Sequence, residues 1–375
     1  QIFERQKTGG ISKYHADLYS EIKKKENADI GIIYSENLHL NEIGIKTKKP
    51  FSEEDTFICK QNFRGKYSLM QSYKKMGFKL NNSHFFNAEY CRKLITNKSF
   101  DILHATYYED LYNDIVLSIP TVITIHDMMP ELFPEYYSKN NKQIKAKRRL
   151  VNKAAAIIAV SEQTKKDIMS LLDVPEDKIH VIYHGGPEIE KEHKSSPYAF
   201  PYFLYVGQRN AYKNFSQFLK DFSTFRKSNK TIKLVCTGPE FTEMEKNLII
   251  SLGLTNYIIH EFVTDDRLKL LYTNAEAFIY PSLYEGFGMP ILEAYACGCP
   301  VILNCKSCFP EIAGDAALYF NSTMNDSNLP QVLMDFSSMT QQDKQDLIIK
   351  GYERLSLYSW VESAKKLYDV YQSII

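Results

Sequence analysis

Short runs of β-branched and aliphatic residues alternate along this chain with segments of helical periodicity, and no other feature restricts the possible folds so sharply. The runs fall at 29–35 (DIGIIYS), 101–105 (DILHA), 121–126 (TVITIH), 156–160 (AIIAV) and 180–184 (HVIYH). They resume at 202–207 (YFLYVG), 232–238 (IKLVCTG), 257–262 (YIIHEF), 277–282 (AFIYPS), 300–304 (PVILN) and 317–321 (ALYFN). Helical patterns over 10–25, 162–172, 214–227, 240–253, 265–274, 289–297 and 341–356 fit between them. Such alternation predicts α/β architecture, with parallel sheets built from βαβ units. The 375 residues suffice for two domains. Between the two sets of runs, PEIEKEHKSSPYAFP (187–201) holds three prolines and no periodicity, which is linker composition.

The chain is therefore expected to divide into residues 1–187, a linker over 188–201, residues 202–358 and a last helix over 359–375. In that last segment Ser359 is an N-cap candidate, Glu362 completes a capping box, and Trp360, Leu367, Val370 and Tyr371 form one apolar face. Two doubly wound domains joined this way face each other across a cleft, with strand carboxyl ends turned toward it. No strand run precedes Gly9, so the domain's first strand is expected upstream of Gln1, and a leader segment stays open.

Composition narrows the function classes. Apolar content of 44% with 24% charged residues is that of a soluble globular protein, and a net charge of +1 gives no bulk attraction to nucleic acid. No apolar run approaches the roughly 20 residues of a membrane helix, and a cytoplasmic location is expected. Seven cysteines do not read as a secreted disulfide framework. Cys297, Cys299, Cys305 and Cys308 invite a zinc reading. The strand between them spreads the pairs by about 10–15 Å at ~3.3 Å per residue, so buried free thiols and no bound metal are expected.

The densest local pattern is PSLYEGFGMPILEAYACG (281–298), where Glu285 and Glu293 are separated by seven residues. Gly286, Phe287 and Gly288 allow a sharp turn and close approach to a ligand, and Pro290 suits the first turn of a helix. The pattern places Glu293 in that first turn, beside unpartnered N–H groups that favour a phosphate. Two carboxylates can hold two hydroxyl-bearing parts of one ligand, which points to a nucleotide sugar.

In YVGQRNAYKN (205–214) a strand ends at Gly207, and Arg209 and Lys213 follow before a helix. A fork donor and a point charge suit a diphosphate. His126, at the end of the 121–126 run and followed by Asp127, is expected to point into the cleft; His104 and His184 read as loop-packing residues. Gly9 and Gly10 open a helix whose N–H groups can meet a phosphate. No G-x-G-x-x-G follows a strand, which disfavours a dehydrogenase. Lys139 to Lys153 is a basic stretch without acidic residues, either a solvated helix face or a contact for anionic lipid.

Taken together these motifs resemble the retaining glycosyltransferases of family 4, which have the GT-B fold, and most closely the bacterial members that build capsular or O-antigen polysaccharides. The likeness rests on KTGGISKY (7–14), ITIHDMMP (123–130), AVSEQTKKDI (159–168), IYHGG (182–186), YVGQRNAYKN (205–214), EGFGMPILEA (285–294) and FPEIAGDAALYF (309–320), in the family's order. It implies that Arg209 and Lys213 neutralise the leaving diphosphate. It further implies that Glu285 contacts the donor sugar, that Glu293 holds the ribose hydroxyls and that His126 bonds the donor sugar or acceptor. The partners it implies are a nucleotide-sugar donor and a glycan or lipid-linked sugar acceptor, with no resident cofactor and no metal. Many members have arginine directly after the glycine, where this chain has Gln208. Glu311 is left outside the site as structural. A sugar phosphorylase or nucleotide-sugar epimerase on the same plan, or a non-catalytic nucleotide-sugar-binding subunit, are the alternative readings.

Overall fold

The computed structural model of the protein describes residues 1–52, 65, 68, 72, 82–97, 100–109, 119–138, 141–192, 195–209 and 211–375. Within them two parallel sheets form. The first contains β1 (Leu103–Ala105), β2 (Thr121–Ile125), β3 (Ala156–Ala159) and β4 (Ile179–Val181), paired in that order. The second contains β5 (Tyr202–Tyr205), β6 (Lys233–Thr237), β7 (Ile258–Glu261), β8 (Ala277–Tyr280), β9 (Val301–Asn304) and β10 (Ala317–Phe320). Its spatial order is β10-β9-β8-β5-β6-β7, so the chain reverses direction across the sheet between β5 and β8. Ligands of doubly wound sheets bind outside the carboxyl ends of the strands at such a reversal.

The longer helices are α1 (Gly10–Lys23), α2 (Ser83–Thr96), α3 (Lys142–Lys153), α4 (Glu162–Leu171), α5 (Phe215–Ser228), α6 (Glu243–Ser251), α7 (Asp265–Asn274), α8 (Met289–Ala296), α9 (Leu329–Ser338), α10 (Gln341–Leu355) and α11 (Trp360–Ser373). They cover both faces of each sheet, which is why the strands read as unbroken apolar runs. On one face of the second sheet, Leu204, Val235, Phe278 and Leu303 pack against Ile291, Leu292 and Tyr295 of α8. On the other, Phe203, Tyr205, Cys236 and Ile279 pack against Phe215, Phe218, Phe222 and Phe225 of α5 and Phe336 of α9. The first sheet is covered by Leu150 of α3 and Ile168 of α4 on one face. Tyr14 and Leu18 of α1 cover the other, joined by Leu367 and Val370 of α11. The last helix thus returns to the first half of the chain. Ser359 caps it by accepting from the Glu362 N–H.

The segment 29–35 is not a strand. Only one isolated bridge, Tyr34 with Lys48, forms there. The side chain of Asn87 takes over the pairing: its Oδ1 accepts from the N–H of Ile33 (3.0 Å) and Tyr34 (2.9 Å), and its Nδ2 donates to Tyr34 O (2.9 Å). The basic stretch is helix α3 over Lys142–Lys153, with Lys139 outside the described residues. It is not uniformly solvated, because Lys147 is fully buried against Glu131 at 2.9 Å and also donates to Asp127 O at 3.0 Å. No helix among the described residues is long and apolar enough to cross a membrane.

Candidate active site

The carboxyl end of β5 leads through Gly207, at φ +110°, to a tight turn over Ala211–Lys213. Asn214 follows in a left-handed conformation, and its Nδ2 donates to Ser322 Oγ (3.0 Å) and Thr323 O (3.3 Å), which fixes the residue beside Lys213. The loop after β8 runs alongside, because the Leu283 N–H donates to Tyr212 O at 2.8 Å. Where the two loops meet, Lys213 Nζ donates to Glu285 Oε1 at 2.5 Å, with the side chains 15% and 12% exposed. This ion pair therefore stands at the β5/β8 reversal, where the fold presents its ligand site.

Several contacts set the position of Glu285. Ser307 Oγ donates to Glu285 O (2.7 Å) and accepts from its N–H (3.3 Å). Cys308 Sγ donates to Glu285 O (3.2 Å) and Phe287 O (3.1 Å), and burial pushes its thiol well above the ordinary range, as suits a structural group. Gly286 lies so close to the first half of the chain that a Cβ there would sit 1.7 Å from His126 O. Only glycine permits that approach. Gly288, at φ +95°, is the N-cap of α8. Phe287 stacks on His184 at 4.3 Å.

His126 is buried in a cluster of rings: Tyr14 at 4.9 Å, His15 at 5.5 Å and His184 at 6.1 Å. The Nε2 atoms of His15, His126 and His184 have no hydrogen-bond partner among the described residues. Burial, reinforced by the neighbouring imidazoles, holds His15 and His126 well below the usual histidine range, and burial alone takes His184 to about 3. These imidazoles are neutral at physiological pH. His104 differs, because both its nitrogens are bonded, to Tyr371 Oη (2.6 Å) and Thr124 Oγ1 (2.9 Å).

The two halves meet through α4. Ser161 Oγ (2.7 Å) and Thr164 Oγ1 (3.3 Å) donate to Gly286 O. Tyr284 Oη donates to Asp167 Oδ2 (2.7 Å) and accepts from the Met128 N–H (3.3 Å). Glu311 accepts from the N–H groups of Glu162 (2.7 Å) and Gln163 (3.1 Å), so a carboxylate of the second half caps a helix of the first.

Residues 188–354 match the family model for glycosyl transferases group 1, and residues 58–186 match that for glycosyltransferase family 4. The chain belongs to the family 4 glycosyltransferases. Its two-sheet architecture is the GT-B fold. Sucrose-phosphate synthase from Thermosynechococcus elongatus superposes with a TM-score of 0.69 at 15% identity, covering 98% of this chain and 94% of that one. HepE of Anabaena, solved with UDP and glucose, gives 0.67 at 16% identity over 97% and 96%. In sequence, the O-antigen chain mannosyltransferase RfbU of Salmonella typhimurium is 31% identical over 204 residues, 53% of this chain and 56% of the relative. O-antigen chain mannosyltransferase B of Escherichia coli is 26% identical over 272 residues, 67% and 70% of the two chains. The chain thus spans little more than half the length of the first of these relatives.

Two expected positions differ in this glycosyltransferase. Arg209 pairs with Glu245 and does not join the Lys213–Glu285 pair. Its guanidinium, 4% exposed, donates to Glu245 Oε1 (3.0 Å), Glu240 O (2.8 Å) and Pro239 O, and lies over the Phe241 ring at 4.7 Å. The carbonyls past β6 and the carboxylate of α6 satisfy its donors. Glu293 falls in the second turn of α8, not the first, because the helix starts only at Met289. Its carboxylate accepts from Tyr272 Oη at 3.3 Å, and burial raises its pKa. Lys13 of α1, which begins after Gly9, lies within electrostatic reach of Glu293 and opposes that rise. Gly9 is extended and Gly10 borders open space, while Gln6 Oε1 accepts from the Ser12 N–H at 3.0 Å. Sequence reasoning missed Ser161, Thr164, Asp167, Tyr284 and Ser307. Ser161 carried a helix-cap signal, but nothing in the spacing pointed to partners across the cleft.

Proposed function

We propose that this protein transfers a hexose, with mannose as the first choice, from a nucleoside diphosphate sugar to a hydroxyl of a growing surface polysaccharide, with retention at the anomeric carbon. The observation that carries this reading is the Lys213–Glu285 pair at the β5/β8 reversal. When the bond from anomeric carbon to diphosphate breaks and the acceptor oxygen bonds to that carbon, its proton passing to the departing phosphate, negative charge grows on the phosphate and positive charge on the ring in the transition state. Lys213 and the positive end of the α8 dipole stabilise the first, and the Glu285 carboxylate the second. Glu293, a hydrogen-bond acceptor toward Tyr272, would take the ribose hydroxyls, a role supported by its acceptor chemistry. A fixed ammonium beside the phosphate does the work for which other transferases use a divalent cation, so transfer should survive chelation. The mannosyl choice comes from the names of the O-antigen relatives. The reaction belongs on the inner face of the cell membrane if the acceptor is lipid-linked, with the exposed Lys142, Lys145 and Arg148 of α3 toward anionic headgroups.

A thermal-shift panel of UDP, GDP, ADP and their sugars tests the donor, since a bound nucleotide stabilises by mass action. Transfer is then measured for the wild type and Lys213→Ala, with and without a chelator. Loss of about 2–4 kcal/mol of transition-state stabilisation is expected in the variant. Unchanged turnover there removes the diphosphate assignment, and product that forms only with inorganic phosphate, or without an acceptor, moves the protein to the phosphorylase or epimerase class.

A further inference from the structure

A strip of aromatic rings leads away from the Lys213–Glu285 pair toward solvent. Lys213 Nζ lies 5.2 Å from the centre of the Tyr212 ring. Tyr212 is 6.5 Å from Phe133 at an interplanar angle of 32°, and Phe133 is 6.3 Å from Tyr136 at 25°. Phe133 also approaches Tyr284, at 5.9 Å. Tyr136 is 40% exposed, and its hydroxyl reaches Met324 Sδ at 3.7 Å. The strip crosses from one half of the molecule to the other, because Tyr212 and Tyr284 flank the ion pair while Phe133 and Tyr136 follow β2. Beside it, the Asp127 carboxylate lies within electrostatic reach of the phenols of Tyr107, Tyr137 and Tyr284.

Resting on the glycosyltransferase reading, we propose that this strip is an extended acceptor subsite. It would hold the sugar residues behind the one that reacts, so the acceptor is a chain of uncharged sugars and not a single sugar. The near-parallel ring planes suit this ligand, because a pyranose has one apolar C–H face that packs on an aromatic face while its hydroxyls seek polar groups at the rim. Tyrosine hydroxyls and a carboxylate supply those rim groups, and a carboxylate makes a strong acceptor for a hydroxyl donor. Among the described residues the cations near the strip are already paired, Lys213 with Glu285 and Lys147 with Glu131, while the carboxylates of Asp127 and exposed Glu135 weigh against an anionic glycan. A row of rings that runs from buried Tyr284 through half-buried Tyr212 and Phe133 to exposed Tyr136, continuous with a reaction centre, suits a ligand groove.

The experiment measures kcat/KM for neutral oligosaccharide acceptors of one to four sugars in the wild type, Tyr136→Ala and Tyr136→Phe. In the wild type, kcat/KM should rise with acceptor length. Tyr136→Ala should flatten that rise by about three- to tenfold on the longest acceptor, leaving the donor KM and the shortest acceptor unchanged. Tyr136→Phe, which keeps the ring, should restore it. A wild type that uses one and four sugars equally, or an alanine variant that keeps the full length dependence, overturns the subsite alone. A wild type that transfers to no acceptor removes the underlying reading with it.

Discussion

At the scale of the residue, the most consequential choice in this chain is to bury imidazoles and leave them neutral. An unpaired polar atom out of water costs roughly 1–3 kcal/mol, and three Nε2 atoms around Tyr14 lack partners among the described residues. Such atoms are kept where a ligand or bound water completes them. Their titration gives a signature. An unfolded histidine titrates near about 6.5, whereas burial takes His104 to about 4 and His184 to about 3, with His15 and His126 also well below the usual range. Below the unfolded value the unfolded chain binds more protons than the folded one, so stability is complete above about pH 6.5 and is lost as pH falls toward the folded values. Asp167 and Glu293, raised by burial, act in the opposite sense, but closer to the carboxylate range. Urea unfolding between pH 7.5 and 5.5 should therefore show stability dropping by up to about 1.4 kcal/mol per histidine per unit below 6.5. A flat profile across that window would mean that these side chains protonate in place.

At the scale of the element, α4 is the part that closes the cleft. Its first turn holds Gly286 O through two hydroxyls, its middle holds Tyr284 through Asp167, and Glu311 caps its start. The contacts to Gly286 and Tyr284 hold the two residues that flank Glu285, so the packing of α4 and the placing of that carboxylate are linked. Tyr284→Phe keeps the ring and removes a hydrogen bond to a buried carboxylate, about 1.5–3 kcal/mol of closed-state stabilisation. We expect turnover to fall by at least tenfold while nucleoside diphosphate affinity holds, since Lys213 and Glu293 are untouched. Equal turnover by the variant would show that the clasp contributes packing only. This clasp was invisible in the sequence, since its partners lie 117 and 125 residues apart and leave no periodic trace. The strands of the second sheet were legible for the opposite reason: burial on both faces imposes unbroken apolar runs. Segment 29–35 has the same composition, yet a single side chain, Asn87, replaced its ladder. The Glu285 loop could be read because glycines and a proline announce it. The direction of Arg209 could not, because carbonyls from another loop decide it.

At the scale of the molecule, the chain crosses between halves twice, and the crossings run side by side. Gly186 N–H donates to Tyr358 O at 3.0 Å, and Ser363 Oγ donates to Tyr183 O at 2.6 Å. A Cβ on Gly185 would lie 2.4 Å from Trp360 N, so the two segments are packed to contact. Beyond the second crossing, α11 inserts Leu367, 0% exposed, between α1 and the first sheet, beside Tyr14, Leu18, Val122 and Ile182. The core of the first half is therefore finished by the last helix of the chain, and it cannot reach full stability until that helix has docked. Leu367→Ala removes a buried side chain from a packed site, a change that costs about 2–5 kcal/mol. The loss should be confined to the half that α11 completes. Hydrogen exchange should show amides of β2 and β3 losing protection while those of β5 and β8 keep theirs, because local opening follows contiguous cooperative units. Binding of a nucleoside diphosphate should persist, since the Lys213 loop and α8 share no core with Leu367. Protection lost equally from both sheets would instead mean that the halves unfold as one unit, with α11 as the element that couples them.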